Sequence, residues 1–414
     1  MNYTEAIDYV HAIPKFVRPL GNEKLSGLLG LLGNPQNKLK FIHVAGTNGK
    51  GSVCTMTAEI LKRAGYRTGL FTSPFITVFN ERITINGDMI ENETLAEYIT
   101  VISETMQKND MQVSEFAFIT AVAMKYFADY NCDIVVLETG MGGRLDATNI
   151  IPTPECAVLT SISLDHTQYL GETIEEIANE KCGIIKQGGY VVSAPNESVR
   201  TIIEDSAKSE NARLCVCDKA KKTDLGFIYN SEEYQLGLGG VYQAENASVV
   251  VEVIGALNQK GYNISKTALC DGLASAKWQA RYEFVTPDIV IDGGHNKDGI
   301  RVLKESLKTE NRPVTFVITM MRDKDYEECI SDIISIADRV IATELDMPRA
   351  LKADEIKKLC DKNGCECVAI PNVKTAIQSA IETAGDNLIC ICGSLYLAGE
   401  AKRVLRLICK GEEQ

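Results

Sequence analysis

Residues 44–52 read VAGTNGKGS. Three glycines, a lysine and a serine fall within nine residues. The apolar run FIHV (41–44) leads into them, and GSVCTMTAEILKRAGY (51–66) follows with helical apolar spacing and a stop at Gly65. Strand, glycine turn, helix is the order that a phosphate-cradling loop requires. Glycines let backbone N–H groups approach phosphate oxygens, and a helix N-terminus favours negative charge. Lys50 can reach outer phosphates, and the Ser52 hydroxyl can face Mg2+. The spelling is unusual, because Gly51 stands where Ser or Thr ordinarily follows the lysine. The plain alternative is a tight, glycine-rich strand-to-helix turn.

Outward from this stretch, CDIVVLETG (132–140) is a buried strand with Glu138 at its carboxyl end. ECAVLTSISLDHT (155–167) is another, closing on Asp165 and His166. GGYVVSAP (188–195) and ARLCVCD (212–218) read as further strands. Apolar, β-branched runs alternating with helices predict a mostly parallel sheet, in which ligands sit beyond the carboxyl ends of the strands. Lys50, Glu138 and His166 all fall at or just past such ends. A second α/β pattern begins with DIVIDGGHN (288–296), and PVTFVITMM, RVIATEL, CECVAIP and NLICICGS continue it. The segment ARYEFVTPD (280–288) lacks an apolar period and reads as a linker near 282–287. The expected fold is α/β. A phosphate-loop ATPase-type domain occupies 1–284, and a smaller Rossmann-like α/β domain occupies 285–414.

Composition restricts the classes available. The chain has 414 residues, 45% of them apolar, and a net charge of -13. That charge argues against general nucleic-acid binding, which needs a basic face, but leaves room for a local basic pocket. No run approaches the roughly 18 apolar residues of a membrane span, and the polar start MNYTEAIDYVHAIPKF lacks a signal peptide's apolar core. A cytoplasmic protein is expected. The 14 cysteines include C-x-C pairs at 215/217, 365/367 and 390/392 but none of the C-x2-C spacing typical of structural zinc. They read as buried reduced thiols, with metal ligation the alternative.

Other polar clusters carry two readings each. In LETGMGGRLDATN (137–149), Glu138 is a natural Mg2+ ligand beside a nucleotide, or a solvated loop carboxylate. The glycines with Arg144 could hold an anionic substrate, with Asp146 beside it. His166 is a metal ligand or a structural histidine. Lys181, in NEKCGIIK, looks like a surface or ion-paired lysine. IDGGHN, with Asp292, His295 and Asn296, is a site or a loop cap. RDKD (322–325) is a site or a charged turn.

Taken together and in this order, the motifs resemble the Mur ligase superfamily, and within it the folylpolyglutamate synthase and dihydrofolate synthase family. The carrying stretches are HVAGTNGKGS, TSPF, NERI, EFAFITA, LETGMGGRLDATN, SLDHT, EKCGIIK, QAENA, WQARYE, IDGGHN, DKD and GSLYLAGE, with MNYTEAIDYVH and LLGNPQ at the start. The resemblance spans nearly the whole chain. It implies an ATP-binding central domain and a C-terminal glutamate-ligase domain. The implied reaction uses ATP, L-glutamate and a reduced folate through an acyl phosphate, in a monomer, with both domains needed for a complete site. It implies that Asn48, Gly49, Lys50, Gly51, Ser52, Asn246, Arg281 and Asp292 bind ATP. Ser52, Ser73, Glu138, His166 and Lys181 would hold Mg2+ at two sites, with Lys181 as a carbamate. Lys50, Lys181, His166 and His295 would be catalytic, and Glu115, Arg144 and Asp146 would bind substrate. The chain departs from the family at Ala117, Gly294 and Arg322. In the early loop RPLGNEKLSGL (18–28), GNEKL replaces the GLERI-like stretch of members that also accept dihydropteroate. That change favours chain extension alone, with the bifunctional activity as the alternative.

Overall fold

The computed structural model describes residues 1–15, 17 and 21–410. They divide into two compact units, Met1–Gly237 with Ala244–Lys277, and Leu238–Gln243 with 278 onward. The start of the early loop, residues 18–20, lies outside the described residues.

The first unit is built on eight strands: β1 (Phe41–Ala45), β2 (Thr68–Phe71), β3 (Ile83–Ile85), β4 (Asp88–Met89), β5 (Ile134–Glu138), β6 (Cys156–Leu159), β7 (Tyr190–Ser193) and β8 (Arg213–Val216). Their order across the sheet is β4-β3-β2-β5-β1-β6-β7-β8. From β2 to β8 every pairing is parallel, while β3 and β4 fold back antiparallel at one edge. Central β1, β5 and β6 are buried at every residue, whereas edge strand β8 is not. A parallel sheet covered on both faces demands such continuous apolar runs, which is why these strands were legible. Phe41, Phe71, Phe118, Phe127, Val135 and Leu137 join one core cluster. Ala157, Leu159 and Val191 join another, with Ile177, Ala178 and Ile203.

A small antiparallel sheet follows, from β9 (Lys221–Lys222), β10 (Gly226–Tyr229) and β11 (Glu232–Gln235). Its outer strands are polar and largely exposed, so no apolar run announces it.

The second unit has a six-stranded sheet: β12 (Glu283–Thr286), β13 (Ile289–Ile291), β14 (Val314–Ile318), β15 (Ala337–Ala342), β16 (Cys367–Ala369) and β17 (Leu388–Cys392). The order is β12-β13-β17-β14-β15-β16. All pairings are parallel except β12 with β13. Strand β12 occupies the stretch expected as linker. An edge strand pairs on one side only, so its half-buried EFVT needs no continuous apolar run. Cys390 and Cys392 are buried free thiols in β17, and every cysteine whose side chain is described is unbridged. Among the described residues no three His, Cys, Asp or Glu side chains gather to hold a metal, and no helix is long and apolar enough to cross a membrane.

Candidate active site

Strand β1 ends at Ala45, and after the four residues 46–49 the helix Lys50–Arg63 begins. Because β1 lies between β5 and β6, the ends of those strands bring Glu138 and the segment 160–166 beside the turn. Strand β2, beyond β5, brings Ser73. The turn has no room for side chains at its glycines. A Cβ on Gly46 would lie 1.8 Å from Thr160 Oγ1. Gly49, the helix cap, sits at φ +88°, and a Cβ there would lie 2.3 Å from Asn246 Oδ1. Both glycines are therefore required, for close approach at Gly46 and for left-handed backbone at Gly49.

Hydrogen bonds sew this loop to the segment after β6. The Thr47 amide donates to Ser161 O (2.7 Å), and Thr160 Oγ1 donates to Asn48 O (2.7 Å). Thr47 Oγ1 donates to Ser163 O (2.9 Å) and accepts from the Ser163 amide (3.1 Å). Sequence reading missed Thr47 and Thr160, since isolated threonines carry no pattern. Lys50 Nζ donates to the carbonyls of Gly46 and Thr47, both at 3.2 Å.

Lys181 departs furthest from its local sequence reading. It lies near the end of the helix Ile174–Cys182, whose start carries a Thr173/Glu176 capping box. Far from being a surface lysine, it is 3% exposed, with Nζ 2.9 Å from Gly46 O. Burial first, and Lys50 second, pull its pKa down to about 7, against the opposing pull of Asp165 and Asp146. Glycines also let the end of this helix pack closely against the segment 143–144. A Cβ on Gly143 would strike the carbonyls of Glu180 and Lys181 at 2.7 Å, and one on Gly183 would strike Arg144 at 2.4 Å.

Glu138 is 4% exposed and accepts from the Ser73 amide (3.0 Å). Ser52 is buried in the first turn of its helix. A buried carboxylate and two serine hydroxyls at one sheet end are the hard oxygen donors Mg2+ requires, so these residues fit that ion. His166 is exposed, at φ +52°, and caps the short helix Thr167–Leu170. It comes to the same sheet end, but its imidazole is a softer donor.

The predicted substrate residues divide. Arg144 is 56% exposed, donates to Asn179 O (3.2 Å) and stands 3.7 Å from Glu180. Asp146 is buried and organises its own loop. It accepts from the Met141 amide (2.8 Å), the Thr148 amide (3.0 Å) and Thr148 Oγ1 (2.5 Å). Burial nonetheless raises its pKa, with those bonds opposing. Asn22, of GNEKL, donates to Asp146 O (2.9 Å) and so ties the early loop to this one. Glu115 opens the helix Glu115–Asp129 and faces His11 at 3.4 Å, apart from the phosphate loop's hydrogen bonds.

In the second unit, Asp292 follows the end of β13 and is buried. It accepts from Tyr242 OH (2.9 Å), the Tyr282 amide (2.8 Å) and the Gly294 amide (2.7 Å). Burial raises its pKa, and Arg281 lowers it. The Arg281 guanidinium covers Gly293, where a Cβ would meet it at 2.9 Å. Its neighbours Ala280 and Tyr282 sit at φ +54° and +47°, backbone strain of the kind concentrated at functional sites. His295 Nδ1 lies 2.9 Å from Gly293 O. Asn296 is the N-cap of the helix Lys297–Lys308, accepting from the Gly299 amide (2.8 Å). Tyr242 was missed because it precedes QAENA in an unpatterned glycine-rich stretch.

A parallel sheet with a phosphate loop, followed by a second α/β unit, is matched by two family models. The Mur ligase middle domain matches residues 44–266, more than half of the chain, and the dihydrofolate synthetase C-terminal domain matches 280–407. The protein is thus a Mur-type ligase. It is 34% identical to the dihydrofolate synthase/folylpolyglutamate synthase of Bacillus subtilis and 34% identical to the folylpolyglutamate synthase of Lacticaseibacillus casei. Each match covers 98% of this chain and 99% of the relative. A solved FPGS-AMPPCP-folate complex is 32% identical with a TM-score of 0.86, over 98% of this chain and 100% of that one. Within the Mur ligases, the chain belongs to the folylpolyglutamate synthase/dihydrofolate synthase family.

Proposed function

We propose that this protein is an ATP-dependent ligase that adds L-glutamate, through an amide bond, to the glutamyl carboxylate of a reduced folate. The observation that carries this reading is the pair Lys50 and Lys181, both hydrogen-bonded to the Gly46 carbonyl of one phosphate loop in a chain of this family. In the reaction, the folate carboxylate attacks the γ-phosphorus of ATP, the bond to the β-phosphate oxygen breaks, and ADP leaves an acyl phosphate behind. The amine of L-glutamate adds to the acyl carbon. The adduct then collapses to an amide, releasing phosphate and a proton. Positioning and charge do most of the work in the first step. Exclusion of water protects the acyl phosphate.

Asn48, Gly49, Lys50, Gly51 and Ser52 hold the phosphates in this reading, and Asn246, Arg281 and Asp292 contact the nucleotide. Ser52, Ser73 and Glu138, with His166 and Lys181, would hold Mg2+ at two positions, where it would neutralise phosphate charge. A buried amine with pKa near 7 is partly unprotonated at neutral pH, the form that adds CO2 to give a carbamate. Arg144 meets the anionic folate tail, Asp146 shapes the loop that presents it, and Glu115 completes the substrate side. His295 acts in catalysis from the second unit. Residues 1–284 form the ATP-binding domain and 285–414 the glutamate-ligase domain, in a cytoplasmic monomer whose small-molecule partners are ATP, folate and L-glutamate.

The second reading adds dihydropteroate as an acceptor. Equal identity to relatives named for one activity and for both supports keeping it, while GNEKL favours chain extension alone. ADP release by purified protein decides between them. It is expected with reduced folate plus glutamate and absent with dihydropteroate plus glutamate. Turnover on dihydropteroate establishes the bifunctional enzyme. Ligation of another amino acid without folate overturns both readings.

A further inference from the structure

Strand β1 supports more than the phosphate loop. His43, its middle residue, is fully buried, and its Nε2 lies 2.8 Å from Thr148 Oγ1. That hydroxyl donates its one proton to Asp146 Oδ1. His43 must therefore be the donor to Thr148, which puts its hydrogen on Nε2. The other nitrogen, Nδ1, is then a bare acceptor and has no partner among the described residues. Burial, helped by Lys186, holds the imidazole neutral, with its pKa near 3. From Asp146 the chain of bonds continues to the Met141 amide. One line of side chains thus runs from the strand that feeds the phosphate loop to both ends of the loop 141–148.

The remaining bonds of this loop seat its other side. The Arg144 amide donates to Glu180 O (2.8 Å). Asn149 Nδ2 donates to Arg144 O (3.1 Å) and Gly183 O (2.9 Å). Lys186 Nζ donates to Asn149 O (3.0 Å) and to Ile151 O. Asn22 holds the Asp146 carbonyl. Among the described residues, His43 joins the loop to β1 through a side-chain donor that no step of the reaction uses.

We propose that His43 is a positioning residue which, through Thr148 and Asp146, sets the loop carrying Arg144 and thereby governs binding of the folate. This rests on the folate reading given above. An ordinary core histidine would lower stability and leave the balance of Michaelis constants alone. A positioning role shifts one constant and spares the other, because the bond runs to the substrate loop and not to the phosphate loop.

His43→Leu removes the donor at similar size, and Thr148→Val removes the relay. His43→Gln and Thr148→Ser keep a donor near the original place. In steady-state assays of the full chain, the two disruptive variants are expected to raise the folate KM about tenfold, equivalent to about 1.4 kcal/mol. The ATP KM and kcat stay within about twofold, and the two conservative variants recover most of the loss. A folate KM unchanged in folded His43→Leu, or an ATP KM that rises equally, overturns the proposal. Amide hydrogen exchange without substrate separates this from the folate reading. Faster exchange at Met141 and Thr148 in His43→Leu, restored in His43→Gln, is expected even if the substrate is not a folate. Unaltered exchange there refutes the relay itself.

Discussion

Lys181 makes the stability of this protein depend on pH in a way that one substitution exposes. An unfolded lysine holds its proton to about pH 10.5, whereas the buried Lys181 amine releases it near 7. Between those values the unfolded chain binds more protons than the folded one, so stability rises with pH. Below 7 both states are protonated, and the penalty for burying the ammonium is fully present. The gap of roughly 3.5 units, at about 1.36 kcal/mol each, corresponds to about 5 kcal/mol. Lys181→Met keeps the length and removes the charge. It also removes the hydrogen bond to Gly46 O, but that loss is the same at every pH and shifts only the offset. The stability of Lys181→Met relative to wild type is therefore greatest below pH 7 and should fall by about 3 kcal/mol between pH 6.5 and pH 9.5. Urea denaturation of both proteins across this range, in CO2-free buffer, measures the difference. A difference that is flat in pH would show that Lys181 is not held as a buried amine.

Three further outcomes follow from the geometry. Gly49→Ala places a Cβ 2.3 Å from Asn246 Oδ1 at φ +88°, so titration calorimetry with a non-hydrolysable ATP analogue should show affinity lower by a hundredfold or more. Asn296→Ala removes the cap of the helix Lys297–Lys308 and should lower stability by about 1 kcal/mol in thermal unfolding. Arg144→Ala should raise the folate KM several-fold and the ATP KM little, because its exposed guanidinium bonds, among the described residues, to the Asn179 carbonyl and the flanking Glu180.

The parts legible in the sequence were those written in local pattern. Buried parallel strands need unbroken apolar runs, so β1, β5, β6, β13, β14 and β17 could be read directly, and with them the sheet end where Lys50 and Glu138 meet. Strands β9, β11 and β12 escaped because antiparallel edges tolerate lysine, glutamate and half-buried residues. Local pattern shows Lys181 only as a lysine in a helix, and the family resemblance alone gives it a metal-holding role. Its bond to the Gly46 carbonyl joins residues 135 positions apart, and spacing along the chain does not encode that contact. Asp146 lies in the loop that carries Arg144, and its carboxylate turns inward to that loop's own amides. His43 looked like one more residue of a buried strand, since its partner Thr148 lies 105 positions away.

The central claim is that the γ-phosphate of ATP passes to a folate carboxylate before the amide forms. Reduced folate carrying 18O in its terminal glutamyl carboxylate tests this directly. With ATP and L-glutamate present, the phosphate released should contain one 18O for each amide made. Phosphate free of 18O, or ADP formed at the same rate without folate, would contradict it.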